Sequence, residues 1–211
     1  MDLLVVNSNT SQEITDLVHA EAQAVARPGT KVTSLTAAFG PRAIERPEDV
    51  VVAAEATIDA IANAPGPVDA AVIACFSDPG LMAVRRMVPF PVIGIAEAAM
   101  LHASRLGARF AILTVAPSSV GGIRKLAEEY GMTRQLTGIH ALPRGVLESH
   151  CEPSRTLWDM ARLAQRILDA ERPDVLVLGG AITAGMARSL APDLPVPIID
   201  GLTCAVRQVD V

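Results

Sequence analysis

One short stretch of the sequence carries residue types that could transfer a proton or form a covalent bond. An apolar run from Ala70 to Ala74 is followed by Cys75 and then by the turn residues of segment 77–80. The apolar run is typical of a strand buried on both faces, and Ser, Asp, Pro and Gly are typical of a turn and a helix start. Cys75 is therefore predicted at the carboxyl end of a central strand, just before a helix.

This predicted position would make the Cys75 thiol useful for catalysis. Ligands of open α/β sheets bind at the carboxyl ends of the strands. The positive end of a helix dipole and free backbone N–H groups would lower the pKa of the thiol and favour the thiolate. The alternative interpretation is that Cys75 is a small buried hydrophobic residue.

The elements that must position Cys75 alternate between strand-like and helix-like patterns. Buried-strand patterns occur at residues 3–6, 31–37, 70–74, 92–95, 109–115, 132–142, 174–178 and 198–199. Helical patterns occur at residues 12–26, 47–63, 97–106, 120–130, 156–170 and 184–190, in a run that ends near residue 88, and from residue 201. This alternation predicts an α/β fold with mostly parallel sheets.

The order of these elements repeats within the chain. Residues 69–75 match residues 174–180, and the segments that begin at Gly80 and Pro91 match those that begin at Gly185 and Pro197. We therefore expect two pseudo-symmetric α/β halves, residues 1–100 and 101–211, with a cleft between them. The last strand or helix of the first half could cross over to the second. The repeat places Gly180 opposite Cys75 across this cleft.

Composition limits the classes of function. The chain has 211 residues, a hydrophobic content of 50%, only 3% aromatic residues and a formal net charge of −5. An acidic chain is not expected to bind nucleic acid, and the absence of an apolar run of about 18 residues argues against a membrane span. Three cysteines without a CxxC pair, and an N-terminus without a basic region, predict a reduced cytoplasmic protein without disulfides or structural zinc.

Three motifs give the chain a family resemblance that covers essentially its whole length. They are Asn7–Thr10, Ala74–Gly80 and Pro91–Ala99. With them, the chain resembles the aspartate/glutamate/hydantoin racemase superfamily, and within it the hydantoin and allantoin racemase branch. The resemblance implies two Rossmann-like (flavodoxin-like) domains around an active-site cleft, with no cofactor and no metal. It also implies two cysteines on opposite faces of a chiral carbon, one acting as thiolate and the other as thiol.

The chain departs from this pattern at the second cysteine. Cys75 matches the first, but the stretch 178–181, where the second is expected, has Gly180. Cys151 is predicted in a loop and Cys204 in the core of the last helix, so neither replaces it. Gly180 also widens that side of the pocket, which predicts a bulkier or differently oriented substrate.

These observations favour a racemase or isomerase that uses Cys75 for proton transfer on a small substrate. The substrate implied is an amino-acid derivative or a cyclic ureide of the hydantoin or allantoin type. Because reversible racemisation needs an acid and a base on opposite faces, single-cysteine chemistry stays open. The superfamily offers decarboxylation, as in arylmalonate decarboxylases, and cis–trans isomerisation, as in maleate isomerases; hydrolysis is a further alternative. A protein that binds a small molecule without catalysis is the alternative from another class.

Candidate substrate-binding residues of the first half surround Cys75. Asn7, at the end of the first strand, could hold a carboxylate or carbonyl group or could form an Asx turn. Ser77 or Asp78 is expected to cap the following helix, where nearby N–H groups could bind a carboxylate. Phe76 lies between them and Cys75. Glu97 is expected to cap the next helix or to line the back of the cleft.

The matching positions of the second half supply the remaining candidates. Thr114, Ser118 and Ser119 follow a strand; the resemblance implies contact with substrate, and local chemistry predicts that one of the serines caps the next helix. The segment expected opposite Cys75 contributes Gly179, Gly180, Ala181 and Thr183. Thr183 would play the same part in the second half as Ser77 in the first. His140 follows a predicted strand that points toward the cleft and could supply a second proton donor there; the alternative is an ordinary surface or core histidine. An apolar surface near the end of the chain predicts a homo-oligomer.

Overall fold

The apolar runs of the sequence form strands that lie at the centre of an α/β fold. The computed structural model describes residues 1–209. Its strands are β1 (Asp2–Asn7), β2 (Lys31–Thr36), β3 (Ala70–Ile73), β4 (Val92–Gly94), β5 (Phe110–Val115), β6 (Leu136–Leu142), β7 (Val175–Leu178) and β8 (Ile198–Asp200). Its helices are α1 (Gln12–Val25), α2 (Pro47–Ala62), α3 (Leu81–Met87), α4 (Ile95–Leu106), α5 (Val120–Glu129), α6 (Val146–Cys151), α7 (Pro153–Glu171), α8 (Met186–Leu190) and α9 (Gly201–Val209).

The strands form two parallel sheets of four strands each, with the same order. The first sheet has the order β2-β1-β3-β4 and the second the order β6-β5-β7-β8. The matching order confirms the predicted α/β fold of two related halves. Because all strands of a sheet run in the same direction, the carboxyl ends of β1 and β3 meet at one edge, and so do those of β5 and β7. The strand that ends before Cys75 thus has a counterpart that ends before Gly180.

Small side chains allow the two halves to pack closely. Helix α4, which follows the first sheet, lies against α9, which follows the second. A side chain at Gly201 would come within 2.6 Å of the carbonyl oxygen of Ile95, so the two helix starts need glycine at this contact. The strands of the first sheet lie between residues 2 and 94 and those of the second between 110 and 200. A division of the chain at residue 100, which falls within α4, stays a prediction.

Two helices of the second half differ from the predicted ones. Helix α6 was not predicted, so Cys151 lies at a helix end instead of in a loop. Helix α7 begins earlier than predicted, at Pro153, a residue suited to the first turn of a helix. Within residues 1–209, no helix combines the length and the apolar character needed to cross a membrane.

Candidate active site

A cavity of about 410 Å³ lies where the carboxyl ends of both sheets converge. It receives Cys75 from the segment after β3 and Gly180 from the segment after β7. The structure therefore brings together the two positions that the internal repeat pairs. The other predicted site residues that line the cavity are Phe76, Ser77, Thr114, Ser118, Ser119 and Ala181.

Cys75 lies in a turn that continues the line of β3. The N–H of Ala74 still donates to the carbonyl of Val6 on β1, and Cys75 then leaves the sheet. Its Sγ atom lies 3.2 Å from the hydroxyl oxygen of Ser77. Burial raises the pKa of the Cys75 thiol, although hydrogen bonds from Ser77 act in the opposite direction. The neutral thiol is therefore the resting form.

The expected lowering of the Cys75 pKa by a helix dipole is not found. Helix α3 begins only at Leu81, after the turn, and its N-cap position is Gly80, without a side-chain cap. The dipole effect falls off within one helical turn, so it does not offset burial. The prediction that Ser77 or Asp78 caps this helix is wrong for the same reason.

Asp78 is turned away from the cavity that it was expected to line. Its carboxylate accepts the N–H groups of Ala96 (3.0 Å) and Glu97 (2.8 Å) in the first turn of α4. It also accepts the hydroxyl of Tyr130 at 2.8 Å. Asp78 therefore caps α4, a helix that is distant in sequence but adjacent in space. Glu97 forms an ion pair with Arg85 and does not line the cavity.

Asn7 is also an internal residue, whereas its neighbour Asn9 lines the cavity. The Asn7 amide is fully buried and donates to Asn9 Oδ1, the Ser11 carbonyl and Thr15 Oγ1. Asn9 lines the cavity, and its amide nitrogen has no hydrogen-bond acceptor among the described residues. The Asn7 Oδ1 atom accepts the N–H of Asn9 at 3.3 Å, which is the Asx-turn contact expected as the alternative, and Asn7 does not line the cavity.

Replacing Asn7 with alanine is expected to destabilise the fold. The change removes the three hydrogen bonds that the buried amide donates and leaves the Asn9 N–H without its Asn7 acceptor, which costs about 1–3 kcal/mol of the free energy of unfolding. Urea unfolding followed by circular dichroism measures it. Asn63→Ala, at the exposed end of α2, is the matched control and should change this free energy by no more than about 0.5 kcal/mol. Equal unfolding midpoints for the two variants would contradict the role assigned to Asn7.

Two of the predicted polar residues of the second half, Thr114 and Ser119, donate hydrogen bonds to backbone carbonyls of the cavity wall. The Thr114 hydroxyl donates to the carbonyl of Gly179 at 3.0 Å. The Ser119 hydroxyl donates to the carbonyls of Val115 and Ala116, and it makes no side-chain cap at the start of α5. Ser118 lines the cavity without a hydrogen bond among the described residues, so its hydroxyl is available to a ligand.

Gly180 lines the same cavity as Cys75, and the position that a Cβ atom would take there is open space. Its φ of 117° is a conformation that favours glycine, and a Cβ atom built there would meet no atom within 4 Å. Thr183, expected at the cavity, is buried and donates its hydroxyl to the Gly180 carbonyl at 2.8 Å. Gly179 packs against the Phe76 ring, so it is a contact between the halves and does not line the cavity.

His140 does not line the cavity, so the expected second proton donor is not found there. Its Nε2 atom lies 2.6 Å from a carboxylate oxygen of Glu171. Glu171 is the last residue of α7 and precedes β7, so it lies near the amino ends of the strands of the second sheet. The His140 side chain thus points to the edge of the sheet opposite the cavity.

Neither of the other two cysteines enters this cavity. Cys151 is exposed at the end of α6. Cys204 lies on α9, and burial raises its pKa to about 12. Within the described residues, Cys75 is therefore the one thiol of the cavity.

A segment before α2 contributes residues that sequence reasoning missed. Ile44, Glu45 and Arg46 line the cavity, together with the start of α2. The Glu45 carboxylate accepts the N–H of Val146, the first residue of α6, at 2.6 Å and thereby joins this segment to the second half. The facing wall is formed by α5 residues, among them Ile123 and Leu126. No local motif marks these residues, because they meet only through the packing of distant segments.

Comparisons with known proteins agree with this architecture. The family model described as Asp/Glu/Hydantoin racemase matches residues 3–209. A hydantoin racemase from Pseudomonas sp. (strain NS671) is 34% identical over 208 residues, which cover 98% of this chain and 84% of that protein. A hydantoin racemase from Paenarthrobacter aurescens is also 34% identical, over 98% of this chain and 89% of its own length.

Solved structures show the same fold. The allantoin racemase from Klebsiella pneumoniae superposes with a TM-score of 0.96 at 36% identity, covering 100% of this chain and 86% of that one. Arylmalonate decarboxylase, with a TM-score of 0.71 at 15% identity over 99% of this chain and 91% of its own, shares the fold alone. The match along the whole chain shows that this protein belongs to the Asp/Glu/hydantoin racemase family.

Proposed function

We propose that this chain is a cofactor-independent racemase-type enzyme that moves a proton at a carbon next to a carbonyl group, with Cys75 serving one face of that carbon. The observation that carries the proposal is that Cys75 is the one thiol of the cavity within the described residues, and that Gly180 lines the same cavity with open space around its Cβ position. The substrate class proposed is a small cyclic ureide of the hydantoin or allantoin type. The racemase relatives and the size of the cavity support this class.

The proposed reaction uses one acid–base group, Cys75. In one direction the Cys75 thiolate takes the proton from the substrate carbon, and the electron pair is delocalised onto the neighbouring carbonyl. In the other direction the thiol returns a proton to the same face. Ser77, which lies 3.2 Å from Sγ, favours the thiolate by hydrogen bonding and so offsets part of the effect of burial.

Two side chains are suited to hold the carbonyl groups of a ureide. Asn9 can donate through its amide nitrogen, because its oxygen already accepts from Asn7 and from the Ser11 N–H. Ser118 can donate from the opposite half. Hydrogen bonds to a carbonyl oxygen stabilise the negative charge that develops there when the carbon loses its proton.

Exchange in D2O tests the proposal. Each enantiomer of a 5-substituted hydantoin, and of allantoin, is incubated with enzyme while NMR follows deuterium at C5 and polarimetry follows optical rotation. One enantiomer is expected to exchange, with its rotation retained, because only one face meets Cys75. Rotation that falls in step with exchange would show a second base and contradict the one-face mechanism. No exchange above the enzyme-free rate with any of these compounds would contradict the proposed function.

Decarboxylation is a second candidate that one observation favours. The raised pKa of Cys75 keeps the thiol neutral, and a neutral thiol is an acid. When a malonate loses CO2, the broken carbon–carbon bond leaves its electron pair on the α carbon, and one acid suffices to protonate it. Incubating the enzyme with an arylmalonate and measuring CO2 release distinguishes decarboxylation from proton exchange.

That the chain works as a homo-oligomer in the cytoplasm stays a prediction.

A further inference from the structure

The turn that begins at Cys75 ends at Asp78, whose hydrogen bonds fix its position. The N–H of Asp78 donates to the carbonyl of Cys75 at 3.0 Å and closes the turn. Asp78 has a φ of 43°, in the left-handed region that residues with a side chain rarely adopt. A side chain at Gly94 would overlap the Asp78 carboxyl group, so glycine there makes room for it. The strained turn is held because its carboxylate is anchored in α4.

The anchor extends to the second half of the molecule through Tyr130. This residue follows α5, whose inner face forms one wall of the cavity. Its hydroxyl donates to Asp78 at 2.8 Å, and the contact is partly buried. Asp78 and Tyr130 thus connect the turn that holds the thiol with the helix that closes the cavity, although neither residue lines it.

We propose that the Tyr130–Asp78 hydrogen bond is a positioning link that fixes the Cys75 turn against the α5 wall of the cavity. The proposal concerns the same site and rests on the proposed function for its effect on turnover. Breaking the link leaves the turn anchored to α4 alone, and the thiol becomes less buried and more mobile. The proton-transfer step then slows, because the reacting groups must be held close to the productive geometry.

A pH dependence follows from the surroundings of Asp78. Burial, the largest effect, raises its pKa to about 6, while its hydrogen bonds to α4 and Tyr130 act against this. The titratable and charged groups that face it from the packed elements are Cys75, Arg85, Glu97 and Tyr130. Below about pH 6 the protonated carboxyl accepts more weakly from both α4 and Tyr130, so the Cys75 turn loosens and turnover falls. Tyr130→Phe removes a donor that favours the carboxylate, so it should raise the pKa of Asp78. The acid limb of the pH profile, which is the fall of turnover at low pH, should then move to higher pH.

Alkylation of Cys75 tests the link without any substrate. Iodoacetamide labelling, resolved by peptide mass spectrometry, is compared between the wild type and Tyr130→Phe at mildly alkaline pH, where Asp78 keeps its charge. Labelling of Cys75 is expected to rise roughly three- to tenfold, the range that corresponds to one lost hydrogen bond. Cys204, in the same sample, reports general loosening and should stay unchanged.

A matched control comes from the second half. Thr203 donates its hydroxyl to the Asp200 carboxylate at the start of α9, as Tyr130 donates to Asp78. Thr203→Val removes that hydroxyl away from the cavity and should leave Cys75 labelling unchanged. The proposal is overturned if Tyr130→Phe does not raise the labelling of Cys75 above that of Cys204.

Turnover gives the second readout. In the exchange assay, Tyr130→Phe should lower kcat with little change in KM and shift the acid limb upward, whereas Asp78→Asn should remove the limb. A loss of folded protein alone would lower the amount of active enzyme without moving the pH profile, and that result would overturn the positioning role. If the wild type catalyses no exchange, the proposed function fails, and the labelling comparison alone decides the link.

Discussion

Replacing Cys75 with alanine is expected to abolish enzyme-catalysed exchange at C5 of a hydantoin, with a loss of about 10²- to 10⁴-fold in kcat. The thiol is the one group of the cavity, within the described residues, that lies at a strand end with no charged partner and that can both give and take a proton. The ionisable side chains that also line the cavity have other partners: Glu45 accepts the Val146 N–H, Arg46 pairs with Asp49, and Glu129 lies 4.0 Å from Lys125.

The controls for this result lie in the same chain. Cys151→Ala removes an exposed thiol and Cys204→Ala a partly buried one, both outside the cavity, and neither should change the exchange rate. Cys75→Ser keeps the size of the side chain, but its hydroxyl is a much weaker acid. Exchange in Cys75→Ala at the wild-type rate would show that another group transfers the proton. A loss of exchange in Cys204→Ala as well would point to unfolding.

Introducing a thiol at position 180 is expected to add proton transfer on the second face. In Gly180→Cys, both enantiomers of the substrate should exchange, and optical rotation should fall in step with exchange. The reason is geometric, because the Cβ direction at Gly180 meets no atom within 4 Å and the residue lines the cavity that holds Cys75. An acid and a base on opposite faces are what reversible racemisation requires.

The same substitution should cost stability. The φ of 117° at Gly180 is unfavourable for any residue with a side chain, and forcing one there costs about 1–3 kcal/mol of the free energy of unfolding. The control is Gly180→Ser, which carries the same backbone strain without a thiol. Both variants should show a similar decrease in Tm, measured by circular dichroism, while only Gly180→Cys gains exchange of the second enantiomer. Equal exchange in the two variants would contradict the assignment of the second face to position 180.

A double variant sharpens this test. Gly180→Cys combined with Cys75→Ala retains one thiol, on the other side of the cavity. It should exchange the enantiomer that the wild type leaves untouched and lose activity toward the other. Such a reversal of enantiomer preference follows only if the two positions face opposite sides of the bound carbon.

The site predicted from the sequence and the site in the structure differ mainly in polar residues. Cys75, Gly180 and Ser118 lie in the cavity as expected. Asn7 and Asp78 lie behind it, since each satisfies buried hydrogen-bonding groups that only tertiary contacts bring near. The repeat between the halves indicated which strand ends meet, but it carried no information on which way a side chain turns.

The sequence by itself determined the alternation of strands and helices, the internal repeat, and the pairing of Cys75 with Gly180. These features depend on apolar runs and on glycine and proline positions, which act locally along the chain. Tertiary structure alone decided that burial raises the pKa of Cys75, that His140 pairs with Glu171, and that Asp78 reaches Tyr130. Each of these depends on groups far apart in sequence, because the solvation and partners of a polar side chain are fixed only when distant segments pack around it.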